Sequence, residues 1–229
     1  MTTTLQGLCS MATRALLEEL AAAHSHRTGV AASFVAMGGV EAARRVAAGE
    51  QFDVVVLASD AIDKLVAAGR LDAAGKVDLA RSGVAVAVRA GAQRPDISTG
   101  NALRSAVLAA PRIAYSTGPS GVALVALFER WGIADDVRSR LVQAPPGVPV
   151  GSLLARGEAA LGFQQLSELM GVEGIDLLGP LPPEIQITTV FSVAPVIGCT
   201  QPEAVRALLE FMASAESAPI KRRHGMEPA

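Results

Sequence analysis

Short apolar runs alternate with stretches of helical spacing from the start of the chain. Thr3 to Leu8 predicts a strand, Met11 to Ala23 a helix, Val30 to Val35 a strand and Gly39 to Ala48 a helix. Asp53 to Leu57 contains the run Val54, Val55, Val56 and reads as a strand buried on both faces, followed by a helix over Ala61 to Ala68 that Gly69 closes. Successive strand–helix units of this kind predict a parallel sheet with helices packed on its faces. Val77 to Arg89 then forms one extended stretch, longer than the roughly 5 or 6 residues of an average strand. That length suits a strand crossing between two lobes.

Gly91 to Asp96 is a loop, and Ser98 and Thr99 cap a helix running to about Ala109. A second series follows: a strand over Arg112 to Tyr115, the loop Ser116 to Gly121, a helix over Val122 to Trp131 and a short helix near Ala134 to Arg140. Leu141 to Gln143, Ala160 to Phe163 and Asp176 to Leu178 predict strands, with one helix ending at Arg156 and Gly157 and another starting at about Gln165. After the break at Pro180 to Pro183, Ile185 to Ile197 is a second long extended stretch, and the tail is helical over Pro202 to Phe211 and Ala218 to His224. The two long stretches flank the second series. The fold expected is α/β, with two α/β lobes joined by two hinge strands and a ligand cleft between them. Residues 1–80 with 190–229 form one expected lobe and residues 81–189 the other, an arrangement that can close on a ligand.

Composition narrows the ligand. Hydrophobic residues make up 50% of the chain, enough for a sizeable core. The balance of 20 basic against 22 acidic side chains leaves no basic excess for a nucleic-acid partner. Aromatic residues are only 3%, too few to stack bases and poor support for a sugar platform. Cys9, Cys199 and the histidines His24, His26 and His224 show no metal-ligand spacing, so neither a metal site nor a cofactor is expected. The two cysteines are either one disulfide or two thiols. No apolar run reaches the ~18 residues of a membrane span, so no membrane insertion is expected. The first residues carry no basic start with an apolar stretch and cleavage site, which predicts a cytoplasmic protein as written and a periplasmic one if a leader preceded it. A monomer handling something small and polar is expected.

In parallel α/β sheets the ligand lies beyond the carboxyl ends of the strands, where helix N-termini present free N–H groups. The candidates there are Cys9, Ser10 and Met11; Met37, Gly38 and Gly39; Ser59; Thr117, Ser120 and Gly121; and Gln164 with Gln165. Any one of the serines could be a plain helix cap, and Met37-Gly38-Gly39 could equally be a tight turn. The run Ser116 to Gly121 lacks the lysine of a nucleotide phosphate loop. The two glutamines offer donors and acceptors together, which favours a ligand role. Arg81, inside the first long stretch, is either a bidentate carboxylate clamp or a salt-bridge partner of Asp78. For proton transfer the loops hold Cys9, Asp60, Tyr115 and Glu168 but no histidine, and no catalytic residue is assigned.

The long VDLARSGVAVAVRAG crossing, RIAYSTGPSG before a helix, LLARGEAALGFQQLSEL and the ending ASAESAPIKRRHGMEP resemble the type II periplasmic substrate-binding proteins over nearly the whole chain. Within them the similarity is to the molybdate-binding branch of ABC transporter components. The resemblance implies an anion held by loop hydroxyls and helix N-terminal N–H groups, and an ABC permease as partner if the protein is exported. Molybdate binders of this kind use hydroxyl residues in the first two loops and a Tyr in the last. Here only Ser10 keeps a hydroxyl in those loops, and a Gln stands at the Tyr position. That implies either an oxyanion or a small di- or tricarboxylate. One offshoot is similar to aconitate isomerase, so an isomerase moving a double bond in a tricarboxylate is the alternative to a binding protein.

Overall fold

The computed structural model describes residues 4–229. Thr3, the expected start of the first strand, lies outside the described residues. The elements are β1 (Thr4–Ser10), α1 (Arg14–Thr28), β2 (Ala31–Met37), α2 (Gly39–Ala47), β3 (Val54–Ala58), α3 (Ser59–Ala67), β4 (Val77–Arg89), α4 (Gly100–Ala109), β5 (Ile113–Tyr115) and α5 (Pro119–Arg130). They continue as α6 (Ala134–Val137), β6 (Leu141–Gln143), α7 (Val150–Ala155), β7 (Leu161–Gln165), α8 (Leu166–Leu169), β8 (Ile175–Pro180), β9 (Thr188–Pro195), α9 (Pro202–Ala213), α10 (Ala218–Arg223) and β10 (Met226–Pro228).

The chain forms two compact units, one reaching to Arg81 and resuming over Val190–Ala229, the other Ser82–Thr189. β4 and β9 carry the chain from one to the other. In the first unit the sheet order is β2-β1-β3-β9. β1 runs parallel to β2 and β3, and β9 returns antiparallel to β3. Leu5, Val54 and Val56 face a cluster with Leu17 and Leu208, while Leu8, Val55 and Leu57 face another with Ile62. A strand buried on both faces therefore needs no alternation, which is why β3 reads as a continuous apolar run. Each fully buried leucine or valine contributes about 1.5–3 kcal/mol of transfer free energy.

The second unit repeats the plan with β4-β7-β5-β6, and β8 pairs antiparallel with β4. β5 is parallel to β6 and β7. Val84, Val86 and Phe163 pack with Phe128 on one face, and Ala85, Ala87 and Leu154 pack on the other. Residues of β4 thus alternate between two apolar layers, and small alanines let α7 approach closely.

The expected α/β two-lobe fold is what the chain adopts. The elements differ from expectation in several places. β1 and β7 extend to Ser10 and Gln165, so Cys9, Ser10 and the glutamine pair close strands and do not open helices. A 3-10 turn over Met11–Thr13 precedes α1. The stretch from Ile185 to Ile197 is interrupted: Pro183–Ile185 is a 3-10 turn, since Pro182 and Pro183 lack the N–H a ladder needs, and β9 starts only at Thr188. β10, which pairs with β4, gave no signal in its short Met-Glu-Pro sequence. Among the described residues no helix is long and apolar enough to cross a membrane.

Candidate functional site

Parallel register brings the predicted loops of the first unit to one sheet edge. Ser10 lies opposite Met37, and Cys9 opposite Val56, so Ala58 and Ser59 follow at the same level. Three strands run almost directly into helices there, with Gly38 and Ala58 at the N-cap positions of α2 and α3 and no side chain bonded into either first turn. A Cβ on Gly39 would stand 3.9 Å from that of Ser10, and one on Gly38 would meet nothing within 4 Å. This edge therefore combines open space, uncapped N–H groups and hydroxyls. Ser10 is nearly buried, and its Oγ lies 3.5 Å from Thr13 Oγ1, whose own hydrogen goes to the Ser10 carbonyl.

Other candidates of this unit are occupied elsewhere. Cys9 is fully buried, and burial pushes its thiol up to about 12, so it supplies neither a base nor a nucleophile near neutrality. Cys9 and Cys199 are both free thiols; Cys199 instead donates to Asp53 Oδ1 at 3.2 Å. Met37 packs by its sulfur, which accepts from Arg45 Nη1 at 3.6 Å. Met11 is half-buried at the start of the 3-10 turn, and Asp60 is exposed and ion-paired at 3.9 Å to Lys64. Arg81 makes no salt bridge with Asp78, because that carboxylate accepts from Ser192 Oγ at 2.6 Å across β4 and β9. The exposed Arg81 guanidinium has no partner among the described residues. Lys76, which the sequence did not single out, places its ammonium 3.0 Å from Ser59 Oγ and 2.5 Å from Asp63 Oδ1. A Gly-Lys pair before a long strand carries no periodic signal, and only the fold brings it to α3.

In the second unit Tyr115 lies opposite both Gln143 and Phe163, which sets Ser116 level with Gln164. Ser116 and Ser120 share a hydrogen bond of 3.1 Å across the first turn of α5, while Thr117 is exposed. Gly121 is a packing position: a Cβ there would sit 1.9 Å from the Ser116 carbonyl oxygen. Gln164 is spent inside the unit. Its Oε1 accepts from the Val150 N–H at 2.9 Å, at the start of α7, and that donor fixes the orientation of the amide. Nε2 then points at Glu168 and donates to Oε1 at 2.9 Å. Gln165 donates through Nε2 to Thr189 Oγ1 at 2.7 Å and keeps a buried Oε1 without a partner.

Glu168 is the titratable group with the chemistry. Burial pushes its carboxyl from the ordinary range to about 7, outweighing the Gln164 bond that favours the charged form. Oε2 has no protein partner among the described residues, so the proton of the neutral acid sits on Oε2. A carboxyl poised near neutrality, anchored by one oxygen and without a hydrogen-bond partner at the other among the described residues, can take up and return a proton. Among the described residues no group of three or more His, Cys, Asp or Glu is placed to hold a metal ion.

Comparison with known proteins agrees with this geometry. The chain belongs to the bacterial extracellular solute-binding proteins, whose family pattern matches residues 5–227. It is 41% identical over 234 residues to an aconitate isomerase of a Pseudomonas species, covering 99% of this chain and 88% of that protein. Among solved structures it is similar to the periplasmic molybdate-binding protein of Azotobacter vinelandii, with TM-score 0.80, 20% identity, and coverage of 97% of this chain and 98% of that one. It is also similar to the sulfate-binding protein SubI of Mycobacterium tuberculosis, with TM-score 0.79, 18% identity, and coverage of 99% and 87%. These likenesses place the fold among the type II periplasmic binding proteins.

Gly121→Ala is expected to destabilise the protein by about 2 kcal/mol, because the added methyl meets a backbone oxygen that cannot swing away; urea titration measures it. For Glu168 the sign follows from its raised folded value. The native state keeps the proton between the ordinary carboxyl range and about 7, where the unfolded chain releases it, so stability falls as pH rises through that window. Glu168→Gln should therefore raise the melting temperature relative to the parent at pH 8 and lose that advantage at pH 4.

Proposed function

We propose that this protein binds a small polycarboxylate and isomerises aconitate by proton transfer. Glu168 carries the reading, as a carboxyl near 7 with one oxygen anchored and the other open. The isomerase relative at 41% identity supports it. In the proposed reaction Glu168 removes a proton from the methylene carbon of the acid, and the electron pair of that C–H bond forms the new double bond as the old one shifts. The vinyl carbon at the far end receives the proton back from Glu168. Nothing is oxidised or reduced, and the double bond ends one carbon over. Negative charge developing on the adjacent carboxylate favours N–H, amide and guanidinium donors. Arg81, an exposed cation with no partner among the described residues, is the proposed clamp for a ligand carboxylate.

Binding without turnover is the second reading, favoured by membership of a solute-binding family. In that case the ligand is a small carboxylate or oxyanion delivered to an ABC permease. Incubation with cis-aconitate, followed by chromatography of the trans product, separates the two. Turnover supports the isomerase; binding without turnover removes the activity and leaves the receptor. If thermal-shift screening with di- and tricarboxylates, molybdate, tungstate and sulfate finds no stabilising anion, both readings fail.

Glu168→Gln is expected to lower kcat by ~10²-fold or more with ligand affinity little changed. In the parent, kcat/KM should climb with pH and level off above about 7, since the base must first lose its proton. Arg81→Ala should weaken carboxylate binding by ~2 kcal/mol, read by calorimetry, and unchanged affinity would return Arg81 to the surface.

A further inference from the structure

We infer that Lys76 is a positioning residue that turns the Ser59 hydroxyl into a hydrogen-bond donor for a ligand carboxylate, an inference that rests on the polycarboxylate reading above. Ser59 is the first residue of α3 and directly follows β3, at the sheet edge where Ser10 and Gly39 also lie. An ammonium group has only hydrogens to give. At 3.0 Å, Lys76 Nζ therefore donates to Ser59 Oγ and occupies one of its lone pairs. The hydroxyl hydrogen is left to point elsewhere, and no acceptor for it is found among the described residues.

The ammonium is held where it can do this. Its second bond, 2.5 Å to Asp63 Oδ1, comes from one turn further along the same helix. The Lys76 side chain is 23% exposed against 61% for Asp63, so the cation lies on the protein side of the pair. The Lys76–Asp63 pair is neutral overall, so Lys76 contributes a directed donor to Ser59 Oγ, while the partial positive charge of the helix start favours an anion on the Ser59 hydroxyl. A serine without this neighbour could serve a ligand as either donor or acceptor. With it, one lone pair is taken and a cationic donor stands beside the oxygen, so the hydroxyl suits a carboxylate acceptor better than a cationic donor.

The test uses trans-aconitate and tricarballylate as probes against the full chain, with affinity from calorimetry and folding from thermal melts. Lys76→Met should weaken binding by ~10- to 100-fold, the loss of a charge-assisted donor. Ser59→Ala should weaken it comparably, and the double variant should bind no more than about 3-fold worse than Ser59→Ala, because Lys76 acts through that hydroxyl. Lys76→Arg, which keeps a donor cation, should restore binding to within about 3-fold of the parent. Parent-like affinity in Lys76→Met, or losses that multiply in the double variant, would overturn the inference while leaving the polycarboxylate reading intact. A parent chain that binds neither probe overturns that reading and the inference with it. Should Lys76→Met fail to fold, Lys76→Arg and Lys76→Gln decide: equal affinity in the two overturns the role.

Discussion

The first turn of every helix leaves backbone N–H groups that the helix itself cannot satisfy, and this constraint shapes the candidate site. Among the described residues, the N-cap positions of α2, α3, α5 and α8 bond no side chain into the first turn, whereas the first N–H of α7, at Val150, is taken by Gln164 Oε1. α4 follows a loop, and Thr99 accepts from the Ala102 N–H at 3.1 Å. At the N-cap positions of α2, α3 and α5, Gly38, Ala58 and Gly118 carry no side chain that can fold back. Those N–H groups stay available to solvent or to an anion, and the dipole of each helix adds partial positive charge. With aromatic residues at 3%, recognition falls to these donors and to nearby hydroxyls and amides.

Gln164 shows how a polar residue at such an edge can serve structure and chemistry together. The Val150 N–H dictates which end of its amide faces α7, and the other end is then obliged to donate to Glu168. That bond lowers the proton affinity of the carboxyl, but burial opposes it and prevails, leaving the group near 7. A carboxyl of ordinary acidity would be a fixed negative charge wherever it stood near an anionic ligand. One near neutrality can shed its charge by taking a proton.

The architecture was readable because β3 and the two series of strand–helix units announce a parallel sheet through uninterrupted β-branched runs and periodic helices. Val77–Arg89 was found to the residue, since its flanks at Gly75 and Gly91 are strong breaks. The errors cluster where polar residues end strands. Ser10 and Gln165 look like the start of a helix in one dimension, yet the ladder continues through their backbones. Side-chain roles were harder still. Gln164 and Gln165 are neighbours in sequence, but alternation sends one toward α7 and the other to Thr189, so a pair that seemed a unit has two separate duties. Lys76 and Ser59 are 17 positions apart with no shared period, and only tertiary packing brings them together.

The departures from a molybdate binder have a common physical direction. A tetrahedral oxyanion is small and needs a tight shell of donors, which bulky or hydroxyl-bearing loop residues supply. In this chain the second loop ends in two glycines, with open space around Gly38, and β7 ends in an amide. Small side chains at the loop leave room beside the helix start, where backbone N–H groups are the donors. Each additional carboxylate on an organic ligand brings another charge to be met; in the first unit Lys76 is already paired with Asp63, and Arg81 has no ion-pair partner among the described residues. Under the polycarboxylate reading proposed above, the open space at Gly38 is room for a ligand whose charges are spread over several carbons.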